Sequence, residues 1–185
     1  ARSGYAVVHR QVLACSSVSS AACHYGVLSN SPSFEPAPEF WWGVLFKRLM
    51  GTSVLDANAT VAGVPAGAGG ISTVVRAFAH CSRQHDGGVA LMWANPQRVP
   101  ATFRMTLRGE REEFHLSAGA GLRGNVVRLN GQVLTLDGDE LPPLAGQRRA
   151  ATEALVLAPM SYGFAVWAQA GVQACAGEVQ GSGIK

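Results

Sequence analysis

From Thr52 onward, apolar and polar residues alternate in short runs with a period of two, the pattern of strands that have one face covered. The runs predict strands at Val54–Ala57, Ile71–Cys81, Val89–Ala94, Thr102–Leu107, Glu112–Leu116, Asn125–Leu129, Gln132–Leu136, Leu155–Leu157 and Tyr162–Ala168, closing with Val172–Cys175. The turn signals between them agree. Asn130-Gly131 suits a two-residue hairpin whose positive φ angles match the strand twist, Asp86-Gly87-Gly88 makes a second turn, and Pro142-Pro143 stops a strand. Gly63 to Gly70, with Pro65, reads as a flexible surface loop.

The first fifty residues follow a different pattern. Ala6-Val7-Val8 and Val12-Leu13-Ala14 form an apolar run interrupted by His9-Arg10-Gln11, the look of a buried strand carrying one polar cluster, which suggests a site. Ser16 to Ala22 is a low-complexity loop, and Pro32, Pro36 and Pro38 fix an extended approach to a helix. The helix is expected from about Pro38 to Met50. Pro38 suits its first turn, Glu39 its positive end, Lys47 and Arg48 its negative end, and Gly51 a left-handed stop. Trp41, Leu45 and Leu49 fall on one stripe, which Phe40, Trp42, Val44, Phe46 and Met50 broaden. So wide an apolar face needs a large partner surface. A lone strand and helix cannot form a βα layer, and the β region is expected to supply only part of the cover, so residues 1–52 read as the end of a longer fold.

Composition narrows the function classes. A chain of 185 residues with 48% apolar and 15% charged residues is globular. The net charge of +3 comes from scattered arginines with no run of four basic residues, so nothing local points to nucleic acid or to a polybasic lipid contact. No stretch approaches the ~20 apolar residues of a transmembrane helix. The opening residues lack the basic-then-apolar pattern of a leader, and the first residue is not Met, which reads as trimming.

Specific chemistry is sparse. The histidines at 9, 24, 80, 85 and 115 show no helical ligand spacing and there is no Cys-x-x-Cys, so neither a metal nor a cofactor is expected. There is no Gly-x-Ser-x-Gly elbow, and the Gly63–Gly70 loop lacks the Lys of a phosphate cradle. Glu112 and Glu113 are neighbours on a predicted strand and must point to opposite faces, so they read as solvated edge residues and not as a catalytic pair. Glu35 and Glu39 flank the helix start, where the helix dipole accounts for them.

Taken in order, the motifs resemble a known family. His9-Arg10-Gln11, His24-Tyr25-Gly26, Phe34-Glu35-Pro36-Ala37-Pro38-Glu39-Phe40-Trp41 and Phe46 to Thr52 are followed by Ala79-His80-Cys81, Arg111-Glu112-Glu113-Phe114-His115-Leu116 and Leu129-Asn130-Gly131. Leu141-Pro142-Pro143-Leu144, Ala158-Pro159-Met160-Ser161-Tyr162 and Ala174-Cys175 complete the series. The ensemble is similar to the C-terminal end of the heparanase family of glycoside hydrolases, and the Arg111–Leu116 run looks more like its plant-type members than the animal enzyme.

That resemblance implies retaining endo-β-glucuronidases built as a (β/α)8 barrel with an attached β-sandwich. The fold is then expected to be mostly β: a C-terminal sandwich preceded by the last strand and helix of the barrel. Residues 1–52 would be the barrel remnant, 53–176 the sandwich and 177–185 a flexible tail. A whole barrel needs ~250 residues, so the chain would be a segment. The two catalytic Glu of the family lie on earlier barrel strands and have no counterpart here. Gln11 and Tyr25 match family positions that contact sugar, although Cys23-His24 replaces the family's Gly-Asn before the Tyr and the loop around Cys15 to Ala22 is longer.

Four cysteines allow three connectivities. The resemblance implies a Cys81–Cys175 disulfide, and it leaves Cys15 and Cys23 as a second candidate pair. The only Asn-x-Ser/Thr sequon, Asn58-Ala59-Thr60, is a candidate glycosylation site. The expected setting is the secretory pathway, ending outside the cell or in the cell wall, in a lysosome or vacuole, or at a membrane surface. Expected partners are an acidic polysaccharide or glucuronide-bearing glycan and the missing barrel part, with no nucleic acid. Two other readings stay open: a stand-alone carbohydrate-binding sandwich, which needs exposed aromatic rings such as Trp93 and Trp167, and a truncated product without function.

Overall fold

The computed structural model describes residues 26–29, 34–56, 60–62, 75–104, 106–107 and 109–177. One helix, α1 (Pro38–Leu49), leads without a break into β1 (Met50–Leu55). There follow β2 (Thr60–Ala62), β3 (Arg76–Ser82), β4 (Val89–Asn95), β5 (Ala101–Arg104), β6 (Arg111–Ala118), β7 (Val127–Leu129), β8 (Gln132–Val133), β9 (Gln147–Arg149), β10 (Leu155–Leu157) and β11 (Ser161–Trp167). The architecture is mostly β and every described pairing is antiparallel. A large sheet runs in the order β1-β3-β4-β11-β6-β7-β8 with β9 also on β6, and a small sheet runs β10-β5-β2.

Side-chain alternation gives the large sheet two covered faces. On one, Ala90, Phe114, Leu116, Phe164 and Val166 pack with Trp41, Leu45 and Leu49 of α1. On the other, Leu91, Trp93, Ala165 and Trp167 share a core with Ala101, Phe103, Leu155 and Leu157 of the small sheet. Because strand neighbours point to opposite sides, β4 and β11 each feed both cores and hold the two layers in register, while β6 gives Phe114 and Leu116 to the first core alone. Asn95, 1% exposed, adds a polar tie: its amide donates to the carbonyls of Val99, Leu157 and Ala158, joining the end of β4 to the end of β10.

The helix forms as the spacing predicts, with Trp41, Leu45 and Leu49 buried. The large sheet receives this stripe, while Phe40, Trp42, Val44 and Phe46 are only partly buried, so the β region supplies part of the helix's cover. Gly51 does not act as a left-handed stop. Met50 ends the helix in an extended conformation (φ −86°, ψ 124°) and Gly51 lies within β1. The reason for glycine is close approach: a Cβ there would stand 2.6 Å from the Cys81 carbonyl oxygen on β3. The Gly51 carbonyl in turn accepts a 2.8 Å hydrogen bond from His80 Nδ1, which fixes the proton on that nitrogen.

A second correction concerns the closing segment. Val172–Cys175 is not a strand; Gln173–Cys175 is a single 3-10 turn. Gly171 takes φ +65°, and Val172 N donates to Gly87 O while Gly87 N donates to Cys175 O, so the segment is held by a turn instead of a sheet ladder. This geometry brings Cys175 to Cys81, and a disulfide joins them across a sequence separation of 94 with Cα atoms 5.2 Å apart. The strands β2 and β9 have no counterpart in the apolar pattern. The Gly63–Gly70 loop, the residue 5–14 strand and the Ser16–Ala22 loop lie outside the described residues.

Candidate functional site

Strand β6 carries the most concentrated chemistry. Arg111, Glu113 and His115 are alternate residues and share one face, the opposite of that bearing Phe114 and Leu116. The Glu112/Glu113 pair does point to opposite faces, but Glu113 is not a solvated edge residue. β6 lies inside the sheet between β11 on one side and β7 and β9 on the other, and Glu113 is 4% exposed. Glu112 is the half-exposed one, with Arg148 Nε at 3.8 Å.

A buried carboxylate survives only if its charge is met. Glu113 Oε1 accepts from Arg111 Nε at 2.7 Å and lies 2.6 Å from Arg111 Nη2. Its Oε2 lies 2.7 Å from His115 Nε2 and 3.7 Å from Arg149 Nε on β9. Burial pushes the Glu113 carboxyl up, but the hydrogen bonds from His115 and Arg111, with the positive charges of both, outweigh it and hold the group below the usual carboxylate range. Arg111 also lies over the Trp167 ring at 5.9 Å, and His115 packs on Trp93 at 5.2 Å. Gly163 makes room for that contact: it sits between Trp93 and His115 in the ladder, and a Cβ on it would meet the indole at 2.6 Å.

Asn130 completes the arrangement. β9 pairs with Arg111–Glu113 and β7 with Leu116–Ala118, which leaves a gap along this side of β6. The Asn130 amide fills it, donating from Nδ2 to Glu113 O (3.0 Å) and accepting at Oδ1 from His115 N (2.9 Å) as a strand's peptide group would. Above this floor opens a cavity of about 460 Å³, lined among others by Glu113, His115, Asn130, Arg149, Val156 and Ser161.

Retaining hydrolysis needs two carboxyl groups ~5 Å apart, one of them protonated, whereas the hydrogen bonds from His115 and Arg111 hold the Glu113 carboxyl below the usual carboxylate range. The other carboxylate at the cavity, Glu153, lies 3.5 Å from Arg149 Nη1 and accepts from Ala150 N, so the Arg149 guanidinium is shared between the two acids. Among the described residues no group of three or more His, Cys, Asp or Glu is placed to hold a metal ion, and no helix is long and apolar enough to cross a membrane.

Gln11, Tyr25 and Asn58, with Cys15 and Cys23, lie outside the described residues. Beyond Tyr25, Leu28 bridges Pro36, Ser29 N donates to Glu35 O at 2.7 Å and Ala37 N to Val27 O at 3.0 Å, so residues 27–29 and 35–37 pair antiparallel just before α1. Glu39 sits in the first helical turn, where the dipole favours it. Trp93 and Trp167 are 0% and 1% exposed, so neither offers a ring for sugar stacking. The sequence pattern separates Glu112 from Glu113 but reads both as solvated edge residues; the signal for a cluster is the alternation Arg111-x-Glu113-x-His115, which places three ionisable groups on one face.

No family model matches the chain. Individual relatives do. It is 32% identical over 186 residues to heparanase of Bos taurus, which covers 95% of this chain and 31% of that protein. It is 32% identical over 157 residues to inactive heparanase-2 of Homo sapiens, covering 77% of this chain and 26% of the relative. Baicalin-beta-D-glucuronidase of Scutellaria baicalensis is 27% identical over 146 residues, covering 76% of this chain and 26% of the relative. The chain thus spans about a third of the length of the curated relatives it matches. Identity is higher to these vertebrate proteins than to the plant ones, so the plant-like Arg111–Leu116 run does not decide the branch.

Proposed function

This chain belongs to the heparanase family of glycoside hydrolases, as a C-terminal portion of its fold, and from that premise we propose that it supports a catalytic barrel instead of performing the reaction itself. Residues 1–52 are read as the last strand and helix of that (β/α)8 barrel, 53–176 as a β-sandwich and 177–185 as a tail. The parent protein would hydrolyse glucuronide linkages in an acidic polysaccharide or proteoglycan chain, with Gln11 and Tyr25 contacting sugar.

The observation that carries this reading is the divided surface of α1. Trp41, Leu45 and Leu49 are sealed against the large sheet, while Phe40, Trp42, Val44 and Phe46 stay partly uncovered. A helix with one stripe committed and a second apolar stripe left half open is what a shared element between a sheet and further barrel units requires. The ionised, paired state of Glu113 is consistent with a chain that lacks its own catalytic acid. Burial of Trp93 and Trp167 weighs against the stand-alone carbohydrate-binding reading. The disulfide favours an oxidising, secretory setting, where Asn58 would be available to carry a glycan.

The test is complementation. A chain bearing the missing barrel units, combined with this one, should release reducing ends from a glucuronide-containing polysaccharide, and Tyr25→Ala should weaken that turnover. Full turnover by the barrel units without this chain would refute the supporting role.

A further inference from the structure

The turn at Asn130-Gly131 joins two chemical facts that have opposite consequences. An Asn-Gly sequence is the peptide context most prone to deamidation, because glycine offers no Cβ to hinder attack of its own backbone nitrogen on the Asn side chain. Here, however, the side chain is committed elsewhere. Asn130 (φ +50°) and Gly131 (φ +87°) form the tight turn between β7 and β8. The carboxamide points across to β6, bonded to Glu113 O at 3.0 Å and His115 N at 2.9 Å, with Ala145 O at 3.4 Å from Nδ2.

We propose that Asn130 is a modification site gated by the fold: it resists deamidation while its amide plugs the gap along β6, and converts once the β7–β8 hairpin opens. In the reaction the Gly131 nitrogen forms a bond to Asn130 Cγ and the Cγ–Nδ2 bond breaks. Ammonia departs carrying the former Gly131 amide proton. Water then opens the resulting five-membered imide at either carbonyl, giving aspartate or isoaspartate. Reaching Cγ requires the side chain to swing toward its own chain, which breaks both bonds to β6.

The product cannot resume the plug. In aspartate an acceptor oxygen replaces Nδ2 and faces the carbonyl oxygens of Glu113 and Ala145, so two attractive contacts become repulsive. Isoaspartate adds a methylene to the main chain of a two-residue turn and shifts the β7–β8 register. Both leave His115 and Glu113 with a loosened backbone beneath the cavity. Deamidation at this position therefore acts as an irreversible release of one wall of the cavity.

Peptide mapping by mass spectrometry tests this on the 185-residue chain incubated at mildly alkaline pH, folded and in urea. Conversion at Asn130 should be at least ~10-fold slower in the folded chain, because each event waits for a local opening. Equal rates in the two states would overturn the gate. The second arm compares Asn130→Asp with the unchanged chain by urea unfolding. The variant should be less stable at neutral pH, with the gap narrowing below the usual aspartate pKa of about 3.9, where the protonated acid can again donate to Glu113 O. A variant as stable as the parent at neutral pH would overturn the plug. If the variant does not fold, the rate comparison on the unchanged chain decides alone.

Discussion

The hydroxyl of Tyr162, on β11, donates to the carbonyl of Pro38 at 3.2 Å and so ties the centre of the large sheet to the first residue of α1. Removing that hydroxyl by Tyr162→Phe should cost about 1 kcal/mol, read as a lower urea midpoint with the slope unchanged. Burial also pushes the Tyr162 hydroxyl up to about 12 from 10.0. The folded state therefore keeps its proton where the unfolded chain has begun to lose it. Stability from this residue is fully present below pH 10.0 and falls as pH rises toward about 12. Spectrophotometric titration should show one of the chain's three tyrosines ionising late, and Tyr162→Phe should remove that late step.

Glu113→Gln leaves Arg111 buried without its counter-charge and should destabilise the chain by roughly 3–5 kcal/mol. The pH dependence has a definite sign. Glu113 is held below its ordinary 4.5, so its contribution is present above that value and is lost as pH falls through the lowered one. The stability difference between parent and variant should stay flat from neutral pH down to the ordinary carboxylate range and shrink only below it. A difference that already collapses near pH 6 would mean that the carboxylate is not held by Arg111 and His115 as described.

Gly163→Ala places a methyl group on the Phe114 carbonyl oxygen and against Trp93, and Gly51→Ala places one 2.6 Å from the Cys81 carbonyl oxygen. Neither obstacle is the far end of a flexible chain, so each substitution should cost about 1–3 kcal/mol or more. Gly131→Ala meets no atom, and its cost should come only from the positive φ of the turn. Thermal unfolding of the three variants should rank Gly163→Ala and Gly51→Ala well below Gly131→Ala.

Reduction of Cys81–Cys175 removes a cross-link spanning 94 residues. In the chain-entropy account such a bridge is worth up to ~4.7 kcal/mol. Paired serine substitutions at Cys81 and Cys175 should lower the urea midpoint markedly.

Much of the fold could be read from residue patterns, for local reasons. Pro38, Glu39, Lys47 and Arg48 mark helix ends through φ and dipole, and Trp41, Leu45 and Leu49 mark the buried stripe through the helical period. Leu155–Leu157 and Asn130-Gly131 are local signals too, and they lie where expected. What could not be read depends on distant contacts. Alternation says that Glu112 and Glu113 part company, but not that the Glu113 side is covered by Trp93, Trp167 and β9. Gln147–Arg149 has no apolar period and becomes a strand because β6 pairs with it. Gly51 looks like a helix stop in the sequence and is a close-packing position, since its constraint comes from Cys81 on another strand. Cys175 lies in a 3-10 turn because the Gly87 backbone captures the segment.

The account rests most heavily on the chain being a supporting portion without a catalytic pair of its own. The direct test is to assay reducing-end release from a glucuronide-containing polysaccharide by the purified 185-residue chain, alone and with Glu113→Gln. The account predicts no release above background in either case. Release that rises with the amount of chain and disappears in Glu113→Gln would contradict it and make the β6 cavity an active site.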